Sequence, residues 1–139
     1  MPNYWLIKTE PEVYSYADLV RDSRTVWDGV SNNAALMHMR AMQPGDLVLI
    51  YHTGGERQAV GLAEVVRAAY PDPNAPADSK LVAVDLAARQ ALVRPVTLAS
   101  VKADPFFAEF ALVRQARLSV MPVSPEYWAK ILTMGGGVV

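Results

Sequence analysis

Between Tyr4 and Thr9 the side chains alternate, Tyr4, Leu6 and Lys8 against Trp5, Ile7 and Thr9, and both faces stay largely apolar until the last two positions. A period of two with apolar residues on each face predicts a strand covered on both sides. Glu10-Pro11 ends it, because proline brings no N–H to a ladder. Ser15 is placed to cap a short helix over 16–21, with Asp18 where an acid suits the free N–H groups of a first turn. Ala35, Leu36, Met39 and Met42 recur at helical spacing and predict a helix over 32–42. Pro44-Gly45-Asp46 is a turn, and the unbroken apolar run from Leu47 to Tyr51 predicts a central strand ending at His52. Thr53-Gly54-Gly55-Glu56 reads as a hairpin connection into a return strand over 59–69.

The second half is more broken. Pro71-Asp72-Pro73-Asn74-Ala75-Pro76 predicts a loop, followed by strands over 81–86 and 91–96. Thr97 caps a helical turn over 98–102, Asp104-Pro105 breaks it, and Phe106, Phe107 and Phe110 pack the turn after it. A short strand over 117–121 is closed by Pro122. Ser124-Pro125-Glu126 opens a last helix, with proline at its first position, which Gly135-Gly136-Gly137 ends. Five or six strands with short helices between them, and no repeat or dividing linker, predict one α+β domain over 1–139, a small closed or partly closed barrel.

Composition narrows the function. A chain of 139 residues that is 52% hydrophobic can bury one real core. Thirteen basic against fourteen acidic residues leave a net charge of −1, which argues against the broad basic surface that nonspecific duplex binding needs, though not against a local basic rim. With no cysteine there are no disulfides, thiol nucleophiles or thiolate metal sites. The first residues show no charged-then-apolar leader and no long apolar run, so a soluble cytoplasmic protein without membrane contact is expected.

The stretch with the most chemistry is Trp27-Asp28-Gly29-Val30-Ser31-Asn32. It joins a large flat ring to carboxylate, hydroxyl and amide groups in one turn between two helix patterns. Ring plus polar edge is what a pocket for a planar, polar ligand such as a nucleobase requires, although a core Trp beside an Asp-Gly turn has the same look. Enzyme signatures are missing. There is no Gly-x-Ser-x-Gly elbow, phosphate loop or dinucleotide fingerprint, and His38 and His52 stand apart from any metal-ligand spacing. No cofactor or metal is expected. Glu10 and Asp28 could form a carboxylate pair for hydrolysis, but no spacing joins them.

Six stretches then carry a resemblance in order along nearly the whole chain: Tyr4-Trp5-Leu6-Ile7-Lys8-Thr9-Glu10-Pro11, Trp27-Asp28-Gly29-Val30, Gly45-Asp46 with Tyr51-His52-Thr53, Val60-Gly61-Leu62-Ala63-Glu64-Val65-Val66, Tyr70-Pro71-Asp72-Pro73, and Arg117-Leu118-Ser119-Val120 with Pro122-Val123-Ser124. The chain resembles the EVE domain family. The resemblance implies a PUA-like pseudo-barrel related to YTH and ASCH domains, and a module that reads a modified cytosine or similar base, flipped into a pocket, in DNA or RNA. The chain departs from the commoner family pattern after the Trp-Asp-Gly-Val turn, where Ser31, Asn33 and Leu36 replace two arginines and an aromatic ring.

Under that reading Trp27 and Tyr51 are candidate stacking walls, each stacked base contributing about 1–3 kcal/mol. Thr9, Glu10, Asn32 and Lys8 are candidates for the base edge, where Thr9 donates and accepts, ionised Glu10 suits an exocyclic amine, and Asn32 offers both a donor and an acceptor even while capping a helix. Arg114, Arg117 and Arg40, with Lys8, are candidates for the nucleic-acid backbone. Asp28 is expected to order the Gly29 turn rather than touch ligand. Two other readings remain open. One is a small-molecule or protein interaction domain of the same fold without nucleic-acid contacts; the other is an enzyme acting on a nucleotide.

Overall fold

The computed structural model describes residues 2–138. Six strands form one mixed sheet: β1 (Tyr4–Thr9), β2 (Arg24–Trp27), β3 (Leu47–His52), β4 (Gln58–Pro71), β5 (Val82–Thr97) and β6 (Val120–Val123), in the spatial order β2-β5-β4-β3-β1-β6. Among the described residues only the β1–β3 pair is parallel; the rest of the ladder is antiparallel. The helices are α1 (Tyr16–Asp22), α2 (Asn33–Ala41), α3 (Leu98–Ala103), α4 (Ala111–Arg114) and α5 (Pro125–Met134), with a 3-10 turn over Pro105–Phe107. Among the described residues no helix is long and apolar enough to cross a membrane.

The double-faced apolar pattern of β1 is explained by its place in the sheet. It lies between β3 and β6, and Trp5, Leu6 and Ile7 are all buried. Burying side chains of this size contributes about 1.5–3 kcal/mol each. The strand starts are locked by Asp46, a buried carboxylate that accepts from Asn3 N–H (3.0 Å), Gln43 N–H (2.9 Å) and the Trp5 indole N–H (2.9 Å). Ser15 caps α1 in a reciprocal pair with Asp18, and Thr97 and Ser124 cap α3 and α5.

Of the two expected forms, closed and partly closed, the sheet takes the one that leaves edges, with β2 and β6 as its two ends. It differs from the expected sheet in three respects. Where two strands over 81–86 and 91–96 are expected, β5 is one sixteen-residue strand. Register shifts against β4 near Gly61 and Val65 absorb its curvature, so the polar positions in its middle bend it without ending it. Trp27 closes a strand, β2, rather than standing in a free turn, because Arg24–Trp27 pairs with Val84–Ala87 of distant β5. Finally β6 starts later than 117 and runs through Pro122, which an edge strand tolerates because one side of its ladder is unpaired.

Candidate functional site

An open cleft of about 590 Å³ lies where the end of β1, the end of β2 and the start of α2 meet. Its size is within the range of small-ligand sites. Lys8 and Thr9 come from β1, Thr25, Val26 and Trp27 from β2, and Asp28 to Asn32 from the turn before α2. The link between β1 and α1 folds back over the strand end and adds Val13 and Tyr14.

Trp27 is 9% exposed and lies in the cleft wall, so the ring is held by the core while part of it faces the hollow. Tyr14 fixes its angle, meeting the indole edge-to-face at 5.9 Å and 84°. The Tyr14 hydroxyl donates to Asp22 at 2.8 Å, and burial first, then the Asp22 carboxylate, pushes the phenol above its ordinary pKa. The turn after Trp27 is ordered from outside it. Buried Asp72 accepts from Gly29 N–H at 3.1 Å and from Asn74 N–H at 2.8 Å, while Gly29 takes a φ of +75° that side-chain-bearing residues seldom adopt. Asp28 therefore does not order the turn alone. Its carboxylate lines the cleft and accepts from the Asn74 amide.

The polar edge is partly committed. The Asn32 Oδ1 accepts from Ala35 N–H at 3.0 Å as the cap of α2, which leaves its Nδ2 donors free for a ligand. Thr9 Oγ1 donates to the Tyr14 carbonyl at 2.6 Å and keeps its acceptor lone pairs. Lys8 Nζ donates to the Ala116 carbonyl at 2.9 Å, and burial lowers its pKa. Ser119, from the segment leading into β6, closes the far side.

Four of the residues singled out by sequence, Trp27, Thr9, Asn32 and Lys8, thus share one cleft. The others lie elsewhere. Tyr51 is displaced to a neighbouring hollow with Thr53, Arg57 and Lys102; it pairs with Lys8 across the β1–β3 ladder, and Lys8 stands between the two hollows. Glu10 is exposed, and its backbone carbonyl accepts from Val13 and Tyr14 N–H; its side chain is not part of the cleft lining, so no carboxylate pair with Asp28 forms there. Arg40 reaches the Lys80 carbonyl at 2.6 Å, beside the β4–β5 loop. Arg114 lies 3.6 Å from Glu109, and Arg117 is exposed; neither lines the cleft. Leu36 is fully buried on α2, so the position is part of the core and not a lost cation at the rim, whereas Ser31 does line the cleft. Sequence reasoning missed Tyr14 and Thr25. A signal for Tyr14 existed: a stop at Pro11 and a cap at Ser15 leave a link so short that it must turn back over the end of β1.

Among the described residues no group of three or more His, Asp or Glu side chains is placed to hold a metal ion. What the geometry defines is an α+β domain with an open cleft, whose Trp27 wall is met edge-to-face by a second ring and whose mouth carries amide, hydroxyl and ammonium groups. The model of the EVE domain family matches residues 3–134, and the chain belongs to that family. Its fold is the PUA-like arrangement that ASCH proteins also have. A Rhodopseudomonas palustris protein solved by NMR is 46% identical, with a TM-score of 0.91 over 96% of this chain and 93% of that one. The human THYN1 protein, solved in complex with DNA containing 5-methylcytosine, is 28% identical, with a TM-score of 0.88 over 96% of this chain and 97% of that one. Rat thymocyte nuclear protein 1 is 30% identical over 96% of this chain and 74% of its own length.

Proposed function

We propose that this domain is a nucleic-acid-binding module that takes a modified base, with modified cytosine as the first candidate, into the Trp27 cleft. The observation that carries the reading is the convergence of Trp27, Thr9, Asn32 and Lys8 on one open hollow. The complex of the human THYN1 protein with 5-methylcytosine-containing DNA supports it, because that protein shares this fold over almost the whole chain. In the cleft, the Trp27 ring stacks on one face of the base. The Asn32 amide donates to an acceptor on the base edge, Thr9 Oγ1 accepts from an exocyclic amine, and Lys8 lies toward the sugar–phosphate side. The apolar side chains of Val13 and Val26 at the rim suit an added methyl group. On this reading the protein binds and does not catalyse.

The test is an equilibrium binding panel of single-stranded and duplex oligonucleotides, with and without modified cytosines and adenines, run on the wild type and on Trp27→Ala. A preferred modification should lose about 10-fold in affinity on Trp27→Ala, the magnitude of one base–aromatic stack, while the unmodified strand changes little. Equal binding of every oligonucleotide by both proteins overturns the reading.

A further inference from the structure

Beside the Trp27 cleft, across Lys8, lies a second hollow of about 280 Å³ lined by Tyr51, Thr53, Arg57, Leu98, Lys102 and their neighbours. Three of its lining residues are cations, Lys8, Arg57 and Lys102, and none is an acid. Among the described residues none of the three cations has a carboxylate partner within ion-pair distance. Arg57 stands at the end of the β3–β4 hairpin with its Nε on the Gly54 carbonyl (3.2 Å), and Lys102 is in the last turn of α3, so two separate elements aim charge at one place. Lys8 Nζ lies 5.8 Å from the Tyr51 ring.

Tyr51 adds an independent observation. It is only 3% exposed, yet its hydroxyl has no hydrogen-bond partner among the described residues, and no fully buried side-chain oxygen or nitrogen there lacks one. The ring is therefore locked in the sheet while the O–H opens into the hollow it lines. A fixed donor among unpaired cations, on an apolar floor of Leu98 and Leu112, is the chemistry of an anion seat.

We propose that this hollow binds a phosphodiester group of the strand whose base enters the Trp27 cleft, with Arg57, Lys102 and the Tyr51 hydroxyl as its ligands and Lys8 shared between the two sites. The inference rests on the nucleic-acid reading above. It replaces Arg40, Arg114 and Arg117 as the cations that hold the backbone, and it reconciles a net charge of −1 with a strand-binding surface, because the free positive charge is concentrated where it is needed. Glu56, the chain neighbour of Arg57, keeps its negative charge but does not line this hollow; its carboxylate is turned to His52 Nδ1 at 2.9 Å.

The two sites are separated by measuring the salt dependence of binding for a modified single strand and for an abasic strand of the same length, which carries phosphates and no bases. Arg57→Ala with Lys102→Ala should weaken both strands alike and reduce the slope of log K against log salt by about 0.7, one single-strand phosphate contact. Tyr51→Phe should weaken both about 10-fold while leaving the slope in place. Trp27→Ala should leave the abasic strand untouched. Unchanged slope and affinity in the double variant overturn the phosphate site even where Trp27→Ala abolishes discrimination. Loss of abasic binding in the double variant supports it even where base reading fails. Circular dichroism on each variant checks that the substitution leaves the fold intact.

Discussion

Gly61 is the position where a single added carbon should do the most damage. It lies in β4 directly under the Tyr16 ring, and a Cβ built there would sit 2.4 Å from Cζ, 2.5 Å from Cε2 and 2.7 Å from Cε1. Ordinary contact starts near 3.4 Å, so the ring must retreat by about 1 Å against a close-packed interior. It has little room to do so, because its hydroxyl donates to the Leu62 carbonyl at 2.7 Å and its own backbone N–H donates to His52 Nε2 at 3.0 Å. That second bond also sets the His52 tautomer, with the proton on Nδ1 facing Glu56. Overpacking costs about 1–3 kcal/mol, and loss of the Tyr16 hydrogen bond about 1 kcal/mol more. Replacing glycine within a strand returns about 0.5–1 kcal/mol. Gly61→Ala should therefore destabilise by about 2 kcal/mol, a fall in Tm of about 6–10 °C for a domain of this size.

The assay is thermal and urea unfolding in a double-mutant cycle with Tyr16→Ala. In the Tyr16→Ala background the clash is gone, so Gly61→Ala should be neutral or slightly stabilising, with a coupling of about 2 kcal/mol between the two positions. An equal loss in both backgrounds, or no loss in the wild type, refutes the steric account. The effect should also reach the cleft, since Tyr16 holds the start of α1 in place and Tyr14, two residues earlier, sets the angle of Trp27. A weakened oligonucleotide affinity at a temperature where Gly61→Ala is still folded is the expected accompaniment.

Three further outcomes are expected. Asp46→Ala strips the acceptor from three N–H groups at the starts of β1 and β3 and should cost about 3 kcal/mol in urea unfolding, while Asp46→Asn, which keeps one acceptor oxygen, should cost less. Asp72→Ala frees Gly29 and Asn74, so it should reduce affinity for the preferred oligonucleotide by more than it lowers Tm, as read by binding and melting on the same sample. The β2–β5 edge should respond to pH in both directions, because the Tyr70 hydroxyl and Arg24 both bond the buried Asp85 carboxylate. Burial and the Asp85 carboxylate push the Tyr70 pKa up to about 12, so the folded state keeps a proton that the unfolded chain loses, and stability should decline as pH rises from about 10 through 12. Burial would raise the Asp85 pKa, but its bonds to Arg24 and Tyr70 outweigh it and the net shift is downward, so this contribution is present above the ordinary carboxylate range and is lost as pH falls below it. Tyr70→Phe should flatten the alkaline decline, measured as Tm across that range.

What could be read from the sequence was whatever local chemistry decides. Ser15, Thr97 and Ser124 cap their helices because a hydroxyl beside free N–H groups acts within one turn. β1 and β3 announce themselves because burial on both faces leaves an unbroken apolar run. β2 gave no such sign. It is four residues long, Arg24 and Val26 are exposed, and it exists only through its pairing with residues some sixty positions away. The continuity of β5 was hidden for a similar reason, since Arg89 and Gln90 look like a turn until β4 is there to carry them around a bend.

The candidate site shows the same division between short-range and long-range causes, and Tyr51 shows it best. Its position at the end of a central strand is local and legible, but the hollow it opens into depends on which side of Lys8 it falls, and that follows from the parallel register pairing Lys8 with Tyr51. Neighbouring partners on one face of a sheet would normally share a pocket. Here the longer side chain of Lys8 reaches across to the Ala116 carbonyl and divides the surface, so that Trp27 has one hollow and Tyr51 another. Shortening that divider is therefore informative. Lys8→Ala merges the two hollows and removes the charge they share, and it should cost more in affinity for a base-bearing strand than for an abasic one only when base and phosphate are bound on its two sides. Equal losses for the two strands would leave Lys8 as a phosphate contact alone and separate the cleft from the anion seat.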